Sequence, residues 1–275
     1  MKQPQNLVIV GSNEETPAKF FTQLEPIKLS QNMGMAIKSI FHGSINNVTS
    51  DNNKILAQLE QVMGDISGNI PDRLIELEME EGNYTSTLSI VKAIALQFKE
   101  EFGENPFRRR KPKLVKPVHP PYIEIDKSEL DTNGNGYFTI KPHHMNLVFQ
   151  PGLTPWSVFE SRSFVLLNKE TLRIKNVDYS KTIQPTFLYS NIVENSYING
   201  KLSRNLSTIP LTMNSGWNFH EFRNPTYVPI DVKEFSKIII ELRDMDGKYI
   251  KFDPAFKTII NLHIKPINTE DLTEF

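Results

Sequence analysis

The stretch DTNGNG, residues 131 to 136, places Asp131, Asn133, Asn135 and Gly136 at positions 1, 3, 5 and 6 of an EF-hand calcium loop. Such a loop surrounds a hard cation with oxygens and closes on a bidentate Glu at position 12. Position 12 here is Pro142, which offers no side-chain oxygen. Asn-Gly between the alternating runs YIEI and YFTI predicts a hairpin turn over 121 to 141 instead. His143 and His144 are adjacent, and neighbours on a strand face opposite ways, so the pair does not converge on one metal ion. The basic run FRRRKPK, 107 to 113, lies among Pro106, Pro112, Pro117, Pro120 and Pro121 and reads as a solvated, Pro-stiffened loop. Its functional readings are contact with nucleic acid, nuclear import or docking on an acidic neighbour. Glu221 and Asp231 would make an acid–base pair only if the fold brought them together. There is no Gly-x-Ser-x-Gly elbow and no Gly-x-x-x-x-Gly-Lys loop, and VGSNEE at 10 to 15 has too few glycines to cradle phosphate. With no cysteine there is no disulfide, thiolate nucleophile or Cys-based zinc site. The sequence therefore assigns no catalytic, cofactor-binding or metal-binding residue.

The elements that would position any site are mainly strands. In RLIELEME, Ile75, Leu77 and Met79 alternate with Glu76, Glu78 and Glu80, a period of two with one buried face. In FSKIIIELRD the same rule puts Ile238, Ile240 and Leu242 inward and Phe235, Lys237, Ile239, Glu241 and Arg243 outward. KTIINLHIK sends Ile260, Leu262 and Ile264 inward and Asn261 and His263 outward. Further strands are expected at 6 to 10, 19 to 24, 34 to 42, 172 to 177, 186 to 193 and 205 to 212. Short strands broken by Pro, Asn and Gly clusters predict an antiparallel sandwich. One helix is expected in STLSIVKAIALQFKEEF, with Leu88, Val91, Ile94, Ala95, Phe98 and Phe102 on one side, an N-cap at Thr85 or Ser86 and a stop at Gly103. A second is expected at 53 to 63, with Ile55, Leu56, Leu59, Val62 and Met63 on one side, and a short third near Thr154-Pro155. The expected organisation is a sandwich from 1–79 and 166–275 with an inserted α+β subdomain at 80–165. In HEFRNPTYVPIDVKEF, 220 to 235, Asn224-Pro225 and Val228-Pro229 suit a corner or sheet edge, because proline donates nothing to a ladder. Phe222 and Tyr227 are then free to fold back over the sandwich.

At 275 residues, 39% hydrophobic and 23% charged, the chain is long enough to bury a large core. A formal net charge of -1 gives no global field toward nucleic acid or an anionic membrane, so any such contact is local. No run approaches the roughly 18 apolar residues of a membrane span. The apolar run near the N-terminus is too short for a signal peptide, which predicts synthesis in a reducing, non-secretory compartment. The Asn-x-Ser/Thr triplets at Asn47, Asn83 and Asn205 are then chance matches. Trp156 and Trp217 are expected in core or interface positions.

FRNPTYVPIDVKEFSKIIIELRDMDGKYIKFDPAFKTIINLHI resembles the C-terminal block of the minor capsid, or penton, proteins of virophages and of Polinton (Maverick) elements. The matching residues are Phe222, Asn224, Pro225, Tyr227, Val228 and Pro229, then Arg243 and Asp244, then Asp246-Gly247. FLYSNIVENSYINGKLSRNLSTIPL, PAKFFTQLEPIKLSQNMGMAIKSIFH and EGNYTSTLSIVKAI are similar to further blocks of that family, in order. Two departures stand out: 99 to 120 is longer and more basic, and Ser190 and Asn191 replace residues common among relatives. The resemblance implies a mainly β chain, a single jelly-roll β-sandwich with a helix-plus-hairpin insertion. It also implies a homopentamer at the fivefold vertices of an icosahedral capsid, beside a major capsid protein, in a virion made in the host cytoplasm or a viral factory. No enzyme activity and no cofactor are implied. The basic run 108–116 is then a candidate for weak contact with packaged DNA. The corner at 222 to 229 and the segment 194 to 205 are candidate intersubunit contacts, because they join strands near sheet ends. The alternatives are a jelly-roll module that binds a carbohydrate or host receptor, and a glycosidase-like enzyme with paired carboxylates in a cleft.

Overall fold

The computed structural model describes residues 6–12, 17–29, 32–59, 74–102, 120–150, 164–198 and 200–267. Its strands begin with β1 (Asn6–Gly11), β2 (Lys19–Lys28), β3 (Met33–His42), β4 (Lys54–Leu59) and β5 (Leu74–Glu78), followed by the helix α1 (Thr87–Phe102). Next come β6 (Tyr122–Asp126), β7 (Gly136–His143), β8 (Met145–Phe149), β9 (Phe164–Leu166), β10 (Leu172–Asn176), β11 (Ile183–Ser190) and β12 (Ser196–Ile198). The remainder are β13 (Lys201–Ser203), β14 (Asn205–Thr212), β15 (Asn218–Glu221), β16 (Val228–Pro229), β17 (Glu234–Arg243) and β18 (Ile259–Pro266). The fold is mainly β, and among the described residues every strand pairing is antiparallel.

The chain divides into two compact units, Met1–Asn46 with Ser180–Phe275, and Asn47–Tyr179. In the first, one sheet runs β1-β18-β3-β15, with β16 pairing Met35 and Gly34 further along β3. The other runs β14-β11-β17-β2, and β12 and β13 form a separate small hairpin. Val10, Ile40 and Leu262 from the first sheet share one buried cluster with Leu188, Ile209 and Ile238 from the second. Period-two strands from two sheets can lose their apolar faces to water only against one another, at about 1.5–3 kcal/mol for each large side chain fully buried.

Ile238, Ile240 and Leu242 are buried inward as their alternation predicts, and so are Ile260, Leu262 and Ile264. Phe235 departs from the expected outward set and joins the core. The register with β2 shifts here: from Phe235 to Lys237 the strand advances two residues while β2 runs from Ile27 to Gln23, so the regular alternation breaks and Phe235 lies on the buried side.

The second unit holds the sheets β5-β4-β8-β9 and β10-β7-β6 together with α1. The segment read as a helix at 53 to 63 is instead strand β4 over its described part. As a central strand between β5 and β8 it buries Ile55, Leu56 and Ala57 in succession, and a run apolar on both faces has no period that separates strand from helix. β4, β5 and β10, assigned from sequence to the terminal sandwich, pair within this unit. Helix α1 begins as expected at Ser86: Ser89 N donates to Ser86 Oγ (3.2 Å) and Ser86 N to Ser89 Oγ (3.0 Å), a reciprocal cap. Its buried face is Thr87, Ile90, Val91, Ile94 and Phe98. The readings at Gly103, 107 to 113, 108–116, and Thr154 with Trp156 fall outside the described residues.

Candidate interaction surfaces

The Pro-rich corner is built into the sandwich. Val228 and Pro229 pair with β3, Phe222 N donates to Lys38 O (2.9 Å) and Ile230 N to Met33 O (2.8 Å). A Cβ at Gly34 would stand 2.7 Å from Ile267 Cγ2 and 3.1 Å from Tyr227 Cβ, so the lack of a side chain is what lets the corner approach β3. The Tyr227 hydroxyl shares a 2.5 Å hydrogen bond with His263 Nδ1, and Lys265 Nζ lies 4.1 Å from the Tyr227 ring centroid. Burial, then Lys38 and Lys265, pushes His263 below its ordinary pKa. Tyr227→Phe is expected to cost about 0.5–1.5 kcal/mol in urea unfolding through the lost hydrogen bond, and Tyr227→Ala more, through lost packing as well. Unchanged unfolding midpoints in both variants would remove the corner from the scaffold.

The family-like turn after β17 is also closed by its own residues. Asp244 Oδ1 accepts from Asp246 N and Lys248 N, both 2.9 Å, and Gly247 takes φ +80°. Arg243 Nη2 donates to Glu241 Oε2 (2.6 Å) and Tyr249 Oη (3.1 Å), and Arg243 Nη1 to Gly247 O (3.2 Å). Lys19 Nζ reaches the other Glu241 oxygen at 3.0 Å. Burial alone would raise the Glu241 carboxyl, but the hydrogen bonds from Arg243 and Lys19 outweigh it and hold the group below its usual value. Glu241, Arg243, Asp244, Asp246 and Gly247 border a groove of about 550 Å³ between the outer face of β11 and β17 and the β12–β13 hairpin, with Tyr189 and Leu202 on its walls.

The segment 194 to 205 is that hairpin, and its tip exposes Tyr197 at 75% and Leu202 at 60%. Asn191, unremarked chemically in the sequence, anchors its base. Its Oδ1 accepts from Ile239 N (2.7 Å) and its Nδ2 donates to Lys237 O (3.2 Å), so a side chain extends the β11–β17 ladder past Ser190. Arg204 donates to the Asn191 carbonyl and to Asp231 Oδ2 (3.2 Å).

A second surface lies on the outer face of the β1-β18-β3-β15 sheet. Phe41 packs against Phe219 across β3 and β15 with ring centroids 4.4 Å apart and planes tilted by 31°, and Trp217 meets Phe256 edge-on at 5.2 Å. At the far edge β1, NLVIVG, carries no charge and no proline, and Leu7 and Ile9 point to solvent. Charge, proline and bulges are the usual guards of an edge strand, and β1 shows none of them.

The remaining sequence candidates resolve into structural roles. Asp131 accepts from the Asn133 and Asn135 amides (2.9 and 2.8 Å), and the Asn135 backbone bond is the first cause of its lowered pKa. The loop joins β6 to β7 as a hairpin. His143 Nε2 meets Glu124 Oε2 at 2.8 Å and its ring stacks on Tyr122, while His144 sits at φ +62° with its N–H on Asn168 Oδ1. Asp231 is held by Arg204, and Glu221 is exposed at the end of β15. Asn47 is fixed by two hydrogen bonds to the Tyr84 backbone. Among the described residues no group of three or more His, Asp or Glu side chains could hold a metal ion, and no helix is long and apolar enough to cross a membrane.

No family model matches the chain, and no curated protein matches it. Among solved structures, it is similar to the crystal structure of a selenomethionine-labelled mavirus penton protein, with a TM-score of 0.47 and 12% identity over 96% of this chain and 100% of that one.

Proposed function

We propose that the chain is a minor capsid (penton) subunit whose first unit is a single jelly roll interrupted after β3 by the second unit, and that it assembles as a homopentamer at fivefold capsid vertices. The observation that carries this reading is the strand order. β1 lies beside β18, β2 beside β17, β3 beside β15, and β11 beside β14, so the strands nest as successive antiparallel pairs distributed over two sheets. A long hairpin of four strand pairs wound onto itself would produce such an order, which supports the jelly-roll reading. The sequence resemblance supports the assembly role; the Asn224–Pro229 corner and the Arg243–Gly247 turn that carry it serve as scaffold, both bonded into this unit. The unguarded β1 edge and the Phe41–Phe219 row supply apolar surface of the kind that a heterologous ring contact covers. The partners are then further copies of this chain and a major capsid protein, the location is the virion, and no catalytic residue is assigned. Contact of 108–116 with packaged DNA is part of the same proposal.

The native mass of the purified chain, alone and with the major capsid protein of the same genome, tests it. A fivefold mass in either condition is expected; a strict monomer in both overturns the vertex reading. The groove beside the β12–β13 hairpin favours a second reading, in which the unit holds a carbohydrate or host receptor against Tyr189. A glycan array without a hit removes its carbohydrate form.

A further inference from the structure

Helix α1 carries a second stripe that the core does not use. Lys92, Leu96 and Lys99 fall at spacings of four and three, on the side facing the start of β6. With Pro120, Pro121 and Tyr122 they line a groove of about 400 Å³ in the second unit. Its floor is apolar and open to solvent: Leu96 is 54% and Tyr122 46% exposed. Its rim is basic, and its charge is crowded. Lys127 lies close enough to Lys92 to be the first cause of a lowered Lys92 pKa. Among the described residues no salt bridge links Lys92, Lys99 or Lys127 to an acid, and Glu124 on β6 is engaged by His143. Two ammonium groups held together without an anion lose Coulomb energy that an incoming carboxylate would recover.

Residues 268 to 275, NTEDLTEF, have the complementary chemistry. Glu270, Asp271 and Glu274 supply three carboxylates, Leu272 and Phe275 supply two large apolar side chains, and no basic residue intervenes. The basic stretch at 107 to 116, by contrast, would add to the groove's charge. We propose that the Lys92–Leu96–Lys99 groove is a docking site for residues 268–275 of a second copy of this chain, Leu272 or Phe275 seated on Leu96 and the prolines and the carboxylates on the lysine rim. This rests on self-association, as the vertex reading does, and gives each subunit a strap onto its neighbour. The apolar floor favours a peptide over nucleic acid, since phosphates gain nothing from leucine and proline side chains.

The absence of cysteine makes the test direct. Full chains carrying Leu96→Cys and full chains carrying Leu272→Cys are mixed and oxidised, and denaturing gels read disulfide-linked pairs, which need Cα atoms within about 7 Å. Hetero-linked pairs are expected well above the homo-linked background. Adding Lys92→Glu and Lys99→Glu should reduce them about tenfold, the weight of two partly exposed ion pairs, and Glu270→Lys with Glu274→Lys in the partner should restore them. A fivefold native mass without hetero-links overturns this inference and leaves the vertex reading standing; a strict monomer without links overturns both. In a third sample, a chain carrying both Leu96→Cys and Leu272→Cys, a link formed only within the one chain overturns the second copy as donor. Binding of a short single-stranded oligonucleotide that the lysine reversals abolish would assign the rim to nucleic acid and overturn the peptide.

Discussion

Acidification from about pH 6.5 to about pH 4 is expected to cost the first unit about 3 kcal/mol of unfolding free energy through one residue, His42. His42 is fully buried at the end of β3, its Nδ1 bonded to Gly43 O at 2.7 Å, its ring 5.5 Å from a parallel His220 ring and 5.5 Å from Phe252. Neither histidine has a hydrogen-bond partner for Nε2 among the described residues. Burial pushes His42 down to about 4, the Gly43 carbonyl opposes the shift, and the charge of a protonated His220 adds to it. The folded pKa thus lies below the unfolded value, so the unfolded chain binds more protons in this window. The stability is present above pH 6.5 and is lost as pH falls toward 4. Urea unfolding across this range should show the slope, and His42→Gln, which keeps a donor for the Gly43 carbonyl, should flatten it. An unchanged slope in the variant would move the acid sensitivity elsewhere.

Phe98→Ala is expected to destabilise the second unit by about 3–5 kcal/mol. Phe98 is fully buried in the cluster with Ile94, Phe138, Ile140 and Met145, and its ring stacks on Phe102 at 6.2 Å. Alanine removes a ring from a close-packed interior, and the loss is the transfer free energy plus the contacts the cavity walls forfeit. Phe98→Leu should recover most of it. Hydrogen exchange at the α1 amides, compared with amides of β17, reads whether the loss is confined to this unit; equal protection in Phe98→Ala and the parent chain would contradict the packing described.

Strands with one wet face were legible from sequence, as Ile75, Leu77 and Met79 between glutamates show. β4 was not, because both its faces are covered and a continuous apolar run carries no period. Phe235 was misplaced for a different reason: a bulge is decided by the partner strand, and nothing in FSKIIIELR announces it. Prolines 225 and 229 did mark the corner, since their missing donors act locally. The groove beside the hairpin was invisible, because residues as distant in sequence as Tyr189, Leu202 and Arg243 converge only once β11 pairs with β17. The Lys92–Leu96–Lys99 stripe was in plain sequence, yet the buried face of the helix absorbed the periodicity argument.

The place where the second unit interrupts the first also bears on the order of events at the ribosome. β1 waits for β18, β2 for β17, and β3 for β15, β16 and β18, so none of the first 46 residues finds its ladder partner until the chain has passed Asn218. Asn47–Tyr179 is contiguous and pairs within itself. Vectorial synthesis therefore presents a finished second unit while β1 to β3 remain single strands, and the first unit closes late, over sequence separations that make closure slow. A nascent chain arrested near residue 200 should already protect α1 from protease while leaving β3 cleavable.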